Sequence, residues 1–314
     1  MNISSAALAD LLGLPAPTPQ QQRVIEAPLT PALVVAGAGS GKTETMANRV
    51  VWLLANDLVR ADEVLGLTFT RKAAGSLAER IAKRIAQLRL VQRAAGAAAD
   101  AEIDFEQPTV STYNSFASAI FRDNALRIGR EPESVLLSES SAWQLARRVV
   151  VASTDERLVQ IGRPIDAITE AVLELSSELS ENVADAAAVS RLAADFAYLA
   201  ELPYTDGKPK ATPYASVVKA LGDISGLPAL VDLAVEYSRQ KQRRGLVEFS
   251  DQVALALAVC ERVPQVVAEY RERYKVVLLD EYQDTSVVQT RLLARLFADH
   301  GVMAVGDPHQ SIYG

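Results

Sequence analysis

Five apolar runs, each rich in Val, Leu or Thr and bounded by turn residues, alternate with amphipathic stretches along the chain. Such runs are typical of strands buried on both faces of a parallel sheet. After the first three runs, apolar positions recur at three- and four-residue steps, which predicts helices at about 42–55, 71–90 and 113–127. The strands are predicted at 32–36, 64–69, 109–112, 275–280 and 302–306. This alternation predicts an α/β doubly wound core.

The middle of the chain has a different pattern. From residue 138 to about 244 the sequence is helical in character and rich in Ala, Leu, Glu and Arg, and the strand pattern resumes only at 275. The simplest interpretation is an α/β domain formed by 1–120 and 245–314, with an all-helical domain, 121–244, inserted into it. The Ala- and Gly-rich stretch 94–104 predicts a surface loop.

A glycine-rich loop joins the first predicted strand to the helix after it. Glycines let successive backbone N–H groups point at one phosphate, and the N-terminus of the following helix favours an anion. The lysine would reach the β- and γ-phosphates and the threonine hydroxyl would ligate Mg²⁺. The alternative is a strand–helix turn without a ligand. The loop comprises Ala36, Gly37, Ala38, Gly39, Ser40, Gly41, Lys42 and Thr43.

Two later strands are predicted to end in polar residues. Asp280 and Glu281 follow the apolar run Val276–Leu279, at the edge where open α/β sheets bind ligands. Asp280 would hold Mg²⁺, and Glu281 would orient and deprotonate an attacking water. Gln310, shortly after the last strand, could hydrogen-bond a γ-phosphate and sense its loss. A solvated acidic loop is the alternative for the two carboxylates.

Composition narrows the class of protein. The chain is 49% hydrophobic and 23% charged, its apolar runs are too short to cross a membrane, and its N-terminus lacks an export signal. We therefore expect a cytoplasmic protein without a membrane partner. The single cysteine, Cys260, cannot form an internal disulfide, and two histidines are too few for a zinc cluster. The net charge of −7 argues against a protein that coats nucleic acid non-specifically.

Further motifs complete a set whose order and spacing resemble the superfamily 1 helicases of the UvrD/Rep/PcrA type. The resemblance implies a RecA-like fold, ATP and Mg²⁺ as cofactors, and Gln21 as the side chain that reads adenine. The loop and acid motifs above are joined in this set by the segments 18–23, 68–74, 111–116, 245–251 and 306–314.

The resemblance also implies contacts with single-stranded DNA. Aromatic faces would stack on bases, worth ~1–3 kcal/mol per base, and polar side chains would bond phosphates or sugars. The basic run at 71–93 follows the first of these motifs. A solvated helix face is the simpler interpretation for it and for the second basic cluster, at 239–244. The DNA-contacting residues would be Phe69, Thr70, Arg71, Tyr113, Asn114 and Tyr313.

Three features depart from the family pattern. Glu44 stands where a basic residue often follows the Lys-Thr pair, Asn114 stands where histidine is common, and Gly314 precedes the second RecA-like domain and its arginines. Within the family, segments 68–74 and 306–310 resemble the actinobacterial AdnAB helicase–nuclease motors more than UvrD, which would imply a partner helicase–nuclease subunit.

We thus expect the N-terminal part of an ATP-dependent DNA helicase that acts on single strands and duplex junctions in repair or recombination. The family implies 3′→5′ movement. The alternative is an ATP- and DNA-binding module without turnover of its own. A GTPase should show the guanine-reading Asn-Lys-x-Asp, which the sequence lacks.

Overall fold

The structure, a computed structural model, describes residues 3–94, 106–198 and 215–311. Its strands are β1 Ala32–Val35, β2 Val64–Thr68, β3 Thr109–Thr112, β4 Val135–Leu136, β5 Leu246–Val247, β6 Val276–Leu279 and β7 Gly301–Gly306. Its helices are α1 Ser5–Leu11, α2 Pro19–Ile25, α3 Lys42–Ala55, α4 Arg71–Ala94, α5 Tyr113–Asn124, α6 Glu139–Ala152, α7 Arg157–Ile161, α8 Ile165–Glu181, α9 Ala186–Ala197, α10 Ala215–Ser225, α11 Leu227–Arg243, α12 Phe249–Arg262, α13 Pro264–Arg273 and α14 Val287–Phe297.

Five parallel strands form the main sheet, in the order β1-β7-β6-β2-β3. Each overlaps a strand predicted from the sequence, and the predicted α/β fold of RecA type is confirmed. Because all five run the same way, their carboxyl ends lie at one edge, where such sheets bind ligands.

Burial on both faces, predicted for all five strands, is wrong for β1. Leu33 and Val35 are 65% and 62% exposed, whereas Ala32 and Val34 pack against the core. Successive side chains of a strand point to opposite faces of the sheet, so one face of β1 packs on the core and the other is exposed.

The chain folds as two compact units, residues 1–120 with 256–314 and residues 121–255. It leaves the first unit within α5 and returns within α12. The return comes later than the predicted boundary at 244/245. α12 runs unbroken from Phe249 to Arg262, so no turn residue marks the point where the packing changes.

The core of the first unit lies between the sheet and helices α3 and α4. α4 presents Leu77, Ile81 and Leu88 to the sheet at helical spacing, together with Met46 and Val50 of α3. This packing holds α3 against the sheet, together with the glycine-rich loop 36–43 that precedes it, named the phosphate loop for its predicted role.

The basic run of α4 is only partly solvated. Arg84 is 6% exposed, and both Arg84 and Arg80 donate hydrogen bonds to the carboxylate of Glu44 on α3. Arg84 also bonds Asn48 at 2.5 Å. The interpretation of the whole run as a solvated face is therefore wrong, and Glu44 joins α3 to α4.

The second unit is mainly helical, as predicted. Helices α6, α8 and α11 pack around a core that includes Leu145, Val172 and Tyr237. The short parallel pair β4–β5 was not predicted, because two-residue strands leave no periodicity in the sequence. Lys241 of the second basic cluster is 3% exposed and donates to Glu248 at 2.5 Å and Asp251 at 2.6 Å, so it too is not on a solvated face.

None of the helices in the described ranges combines the length and apolarity that a membrane span requires.

The end of α2 is held by one buried side chain. Arg49 of α3 is 1% exposed, and its guanidinium donates to the carbonyls of four residues at 2.8–3.2 Å. Burial lowers its pKa to about 10, so the group stays charged at neutral pH. The acceptors are Val24, Ile25, Ala27 and Pro28, which follow the part of α2 that carries Gln21.

The substitution Arg49→Met should destabilise the first unit. It leaves a cluster of partly buried carbonyls without their donor, and we expect a loss of about 2–4 kcal/mol in the free energy of unfolding. Urea denaturation followed by circular dichroism measures the loss. Arg23→Met, at an exposed position on α2, is the control and should change stability by less than about 0.5 kcal/mol. Equal effects of the two substitutions would contradict the role given to Arg49.

Candidate nucleotide site

The phosphate loop leaves β1 and turns sharply into α3. Gly39 and Gly41 have φ of 73° and 81°, the left-handed region that glycine adopts without a steric cost. Gly41 caps α3 without a side chain, and Lys42 and Thr43 form the first turn of the helix. The first N–H groups of a helix lack intrahelical partners, so this turn is suited to bind an anion.

Lys42 meets the acids at the end of β6. Its Nζ donates to Glu281 Oε2 at 3.0 Å, and its side chain is largely buried. Gln283 Nε2 donates to the same carboxylate oxygen at 2.9 Å. The strand order places β1 and β6 on either side of β7, so the pair spans the edge above β7.

The hydrogen-bonded chain continues to the end of β7. Gln283 Oε1 accepts from the backbone N–H of Asp307 at 3.0 Å, and Asp307 Oδ2 accepts from Gln310 Nε2 at 2.6 Å. Gly306 permits this approach, because a Cβ there would lie 2.5 Å from Gln283 Oε1 and 3.2 Å from the Gln283 backbone nitrogen. Lys42, Glu281 and Gln310, the predicted catalytic residues, are thus brought into one network.

Two members of this network were not predicted individually. Gln283 and the buried Asp307 connect Glu281 to Gln310. Asp307 lies in the segment 306–314, and Gln283 lies two residues after Glu281. The available signal was position: Asp307 directly follows β7, at the same edge of the sheet as Glu281. Gln310 itself is exposed and bonded to Asp307, and its sensor role stays a prediction.

The adjacent carboxylates have opposite pKa shifts. Burial raises the pKa of Asp280, and the charge of Glu281 raises it further. Burial also acts to raise the pKa of Glu281, but hydrogen bonds from Gln283 and Lys42 and the charge of Lys42 outweigh it and hold that pKa below its usual value. Glu281 is therefore kept ionised, whereas Asp280 is a buried carboxylate that a cation would stabilise.

A cleft of about 380 Å³ lies beside the phosphate loop. Val24, Val34, Val35 and Met46 give it apolar walls, and Gln21 lies at its rim. Gln21 Nε2 donates to the Ser40 carbonyl at 3.2 Å, while its Oε1 accepts from the Thr18 N–H at 2.9 Å in a capping box. A cleft with apolar walls and a few polar groups is suited to a purine ring, and the reading of adenine by Gln21 stays a prediction.

Three of the predicted DNA-contacting residues follow β2. Phe69 is 38% exposed, and Arg71 is exposed at the first turn of α4. Thr70 Oγ1 accepts from the Ala73 N–H at 3.1 Å, so this side chain also stabilises the start of the helix. Phe69 and Arg71 thus present an aromatic face and a cation next to the predicted nucleotide site.

Tyr113, which follows β3, is not placed to stack on a base. Tyr113 is 4% exposed and donates its hydroxyl to the Asp280 carbonyl at 2.9 Å, so its ring offers no face to a base. Asn114 Oδ1 accepts from Gln289 Nε2 at 2.9 Å. The sequence could not show this, because a tyrosine just after a strand can turn inward or outward. Tyr313 lies outside the described residues.

Comparison with known proteins gives a consistent result over nearly the whole chain. The model of the UvrD/REP helicase N-terminal domain matches residues 17–314. The ATP-dependent DNA helicase PcrA of Staphylococcus aureus is 28% identical over 299 residues, and the ATP-dependent DNA helicase UvrD1 of Mycobacterium leprae is 29% identical over 312 residues. Each alignment covers 94% of this chain and 33% of the relative, so the chain spans about a third of their length.

The AdnAB-like assignment and the partner helicase–nuclease subunit gain no support from these comparisons. The matched family and both relatives are described as helicases only.

The raised pKa of Asp280 predicts that Asp280→Asn stabilises the protein at neutral pH. A carboxyl whose pKa is raised on folding lowers stability once it ionises, and an amide removes that charge while keeping an acceptor for the Glu281 N–H. The gain should be present at pH 7 and disappear as the pH falls towards 3.8, the ordinary value for Asp. Urea denaturation at several pH values measures it.

Asp62→Asn is the matched control. Asp62 is partly exposed, and its hydrogen bond from Arg60 lowers its pKa, so the same substitution there should cost a little stability at neutral pH. A loss of stability in Asp280→Asn at pH 7 would show that Asp280 is not under electrostatic strain.

Proposed function

Because the chain belongs to the UvrD/REP helicase N-terminal domain family, we propose that it is the N-terminal motor portion of an ATP-dependent DNA helicase. It would couple hydrolysis of Mg·ATP to movement along single-stranded DNA. The observation that carries the proposal is the network Lys42–Glu281–Gln283–Asp307–Gln310, which joins three strand ends on the edge that also carries Phe69 and Arg71.

In the proposed reaction, arriving phosphates change the partner of Lys42. The loop N–H groups and Lys42 bind the β- and γ-phosphates, so the ammonium leaves Glu281. Glu281, still held by Gln283, then orients a water and accepts its proton. Gln310 exchanges Asp307 for the γ-phosphate and returns to Asp307 when that phosphate is gone.

The residues at the site fit a magnesium ion. Thr43 in the first turn of α3 and the buried carboxylate of Asp280 are hard oxygen donors, and Asp280 accepts from a single N–H through Oδ1 at 3.1 Å. When bound, the ion neutralises phosphate charge. Thr43 and Asp280 would hold it, and Gln21 would place the adenine in the apolar cleft.

The DNA side of the proposal rests on the end of β2. Phe69 would stack on a base, and Thr70 and Arg71 would bind the backbone, which requires no particular sequence. We further propose 3′→5′ movement, action on single strands and duplex junctions, and a role in repair or recombination. Tyr113 and Asn114 would affect DNA binding only indirectly, because their side chains bond Asp280 and Gln289.

The second candidate is an ATP- and DNA-binding module without turnover. The described site pairs Glu281 with Lys42, while Arg80 and Arg84, beside the phosphate-loop helix, are committed to Glu44. An arginine that reaches the γ-phosphate is worth ~10³–10⁵ in rate in related phosphoryl-transfer enzymes. DNA-stimulated ATPase by residues 1–314, measured beside the longer protein, separates the two: robust turnover by the shorter form would exclude the module.

Replacing Glu281 by Gln in the full protein should lower DNA-stimulated ATP hydrolysis about 10²- to 10⁴-fold, the contribution of a general base. The amide keeps the shape of the side chain and no longer competes as a charge for Lys42, so the affinity for an ATP analogue should not fall. A phosphate-release assay and a nucleotide-binding titration measure the two quantities. Glu269→Gln, an exposed position on α13, is the charge-matched control and should hydrolyse normally. Unimpaired hydrolysis by Glu281→Gln would exclude the base role.

Replacing Phe69 by Ala should weaken the binding of single-stranded DNA by ~1–3 kcal/mol, the value of one stacked base. Fluorescence anisotropy with a labelled oligonucleotide at fixed salt measures the affinity. Tyr198→Ala removes an exposed aromatic ring after α9 and should leave binding unchanged. If both variants bind DNA like the unsubstituted protein, Phe69 is not a stacking residue.

A further inference from the structure

The backbone of Asp280 is held from two directions, through its N–H and through its carbonyl. The Asp280 N–H donates to the Leu67 carbonyl of β2 at 2.8 Å, which extends the β6 ladder by one bond. The Asp280 carbonyl accepts the Tyr113 hydroxyl at 2.9 Å. The first bond comes from the sheet, but the second comes from a side chain at the start of α5.

The chain bends abruptly at the next residue. Glu281 has φ of 49° and ψ of 43°, a left-handed conformation that is sterically unfavourable for a residue other than glycine. Such conformations persist only when the surroundings impose them, and they concentrate at functional sites. This bend turns the Glu281 carboxylate towards Lys42.

The far end of the same segment is also attached to α5. Gln289 receives the Ser286 N–H on Oε1 at 3.0 Å and donates Nε2 to Asn114 Oδ1 at 2.9 Å. The consecutive residues Tyr113 and Asn114 thereby contact the two ends of the segment 280–289, which contains Asp280 and Glu281.

We propose that Tyr113 is a positioning residue for the hydrolytic carboxylate. Its hydroxyl fixes the Asp280 carbonyl, and this maintains the left-handed turn that directs Glu281 into the phosphate site. The inference rests on the proposed function for the role of Glu281 and adds a residue that touches neither nucleotide nor DNA.

The hydroxyl of Tyr113 should affect hydrolysis and not the binding of nucleotide. Tyr113 is packed inside the first unit, and within the described residues its hydroxyl bonds the Asp280 carbonyl and not the phosphate loop, Lys42 or the apolar cleft. Loss of the hydroxyl should therefore misdirect Glu281 and leave nucleotide affinity unchanged.

The test is Tyr113→Phe in the full protein, since this change keeps the ring and removes one hydroxyl. We expect kcat for DNA-stimulated ATP hydrolysis to fall about three- to tenfold, as for the loss of one buried hydrogen bond, with KM and the affinity for a non-hydrolysable analogue within twofold. In a Glu281→Gln background, Tyr113→Phe should lower the single-turnover rate no further, because the carboxylate that it positions is gone.

Tyr274→Phe is the matched control. Tyr274 is a buried tyrosine of the same unit, and its hydroxyl bonds Thr109 Oγ1 at 3.4 Å, at the first residue of β3 and so at the opposite end of the sheet from the acids. This variant should keep the normal kcat. A normal kcat in Tyr113→Phe, or an equal further loss in the Glu281→Gln background, would overturn the proposal.

A second measurement does not depend on turnover. Hydrogen exchange at the amides of Glu281 and Asp284 should accelerate in Tyr113→Phe and not in Tyr274→Phe. Unchanged exchange would overturn the positioning role even where Glu281→Gln abolishes hydrolysis. Accelerated exchange together with normal hydrolysis by Glu281→Gln would support the hydrogen bond and reject the base role of Glu281 instead.

Discussion

Parallel pairing of β1, β7, β6, β2 and β3 is the constraint on which the site depends. It brings five carboxyl ends to one edge, so residues separated by more than two hundred positions, such as Lys42 and Glu281, lie 3.0 Å apart. The order of strands then divides the edge. The phosphate loop, the two carboxylates and Asp307 follow β1, β6 and β7, whereas Phe69 and Tyr113 follow β2 and β3. The residues of the proposed nucleotide site therefore follow β1, β7 and β6, and Phe69, the proposed base-stacking residue, follows the neighbouring β2. Tyr113, after β3, belongs to neither group and contacts the Asp280 carbonyl from inside the protein.

The same edge concentrates unfavourable features that the rest of the fold offsets. Asp280 is a buried carboxylate beside another carboxylate, and Glu281 takes a left-handed backbone. Lys42 and Gln283 stabilise the ionised Glu281, the hydroxyl of Tyr113 holds the preceding carbonyl, and Gly306 leaves room for Gln283. Each of these contacts is local, but each depends on the sheet to bring its partner from a distant part of the sequence.

The difference between what the sequence predicts and what it does not follows from this geometry. Backbone features with a periodicity or a glycine requirement, such as the five strands and the turn at Gly39 and Gly41, can be read directly. Side-chain partners cannot. Arg84 lies in a basic run that suggests solvent, yet Glu44 lies one helix away and pairs with it, and the hydroxyl of Tyr113 turns inward because an Asp280 carbonyl is within reach. Whether the side chain just after a strand points inward or outward depends on neighbours that only the folded structure brings close.

The ion pair between Lys42 and Glu281 has a consequence for how hydrolysis would be controlled. Both groups are needed by the proposed chemistry, one for the phosphates and one for the water, and they neutralise each other at 3.0 Å. Triphosphate carries more negative charge than one carboxylate and is aided by the helix N-terminus, so it should win Lys42 from Glu281. Glu281 does not then swing away, since Gln283 holds its carboxylate and Tyr113 holds its backbone. The proposed base would thus be kept ionised by Gln283 and Lys42 until the phosphates bind Lys42, and its direction would be set before nucleotide arrives.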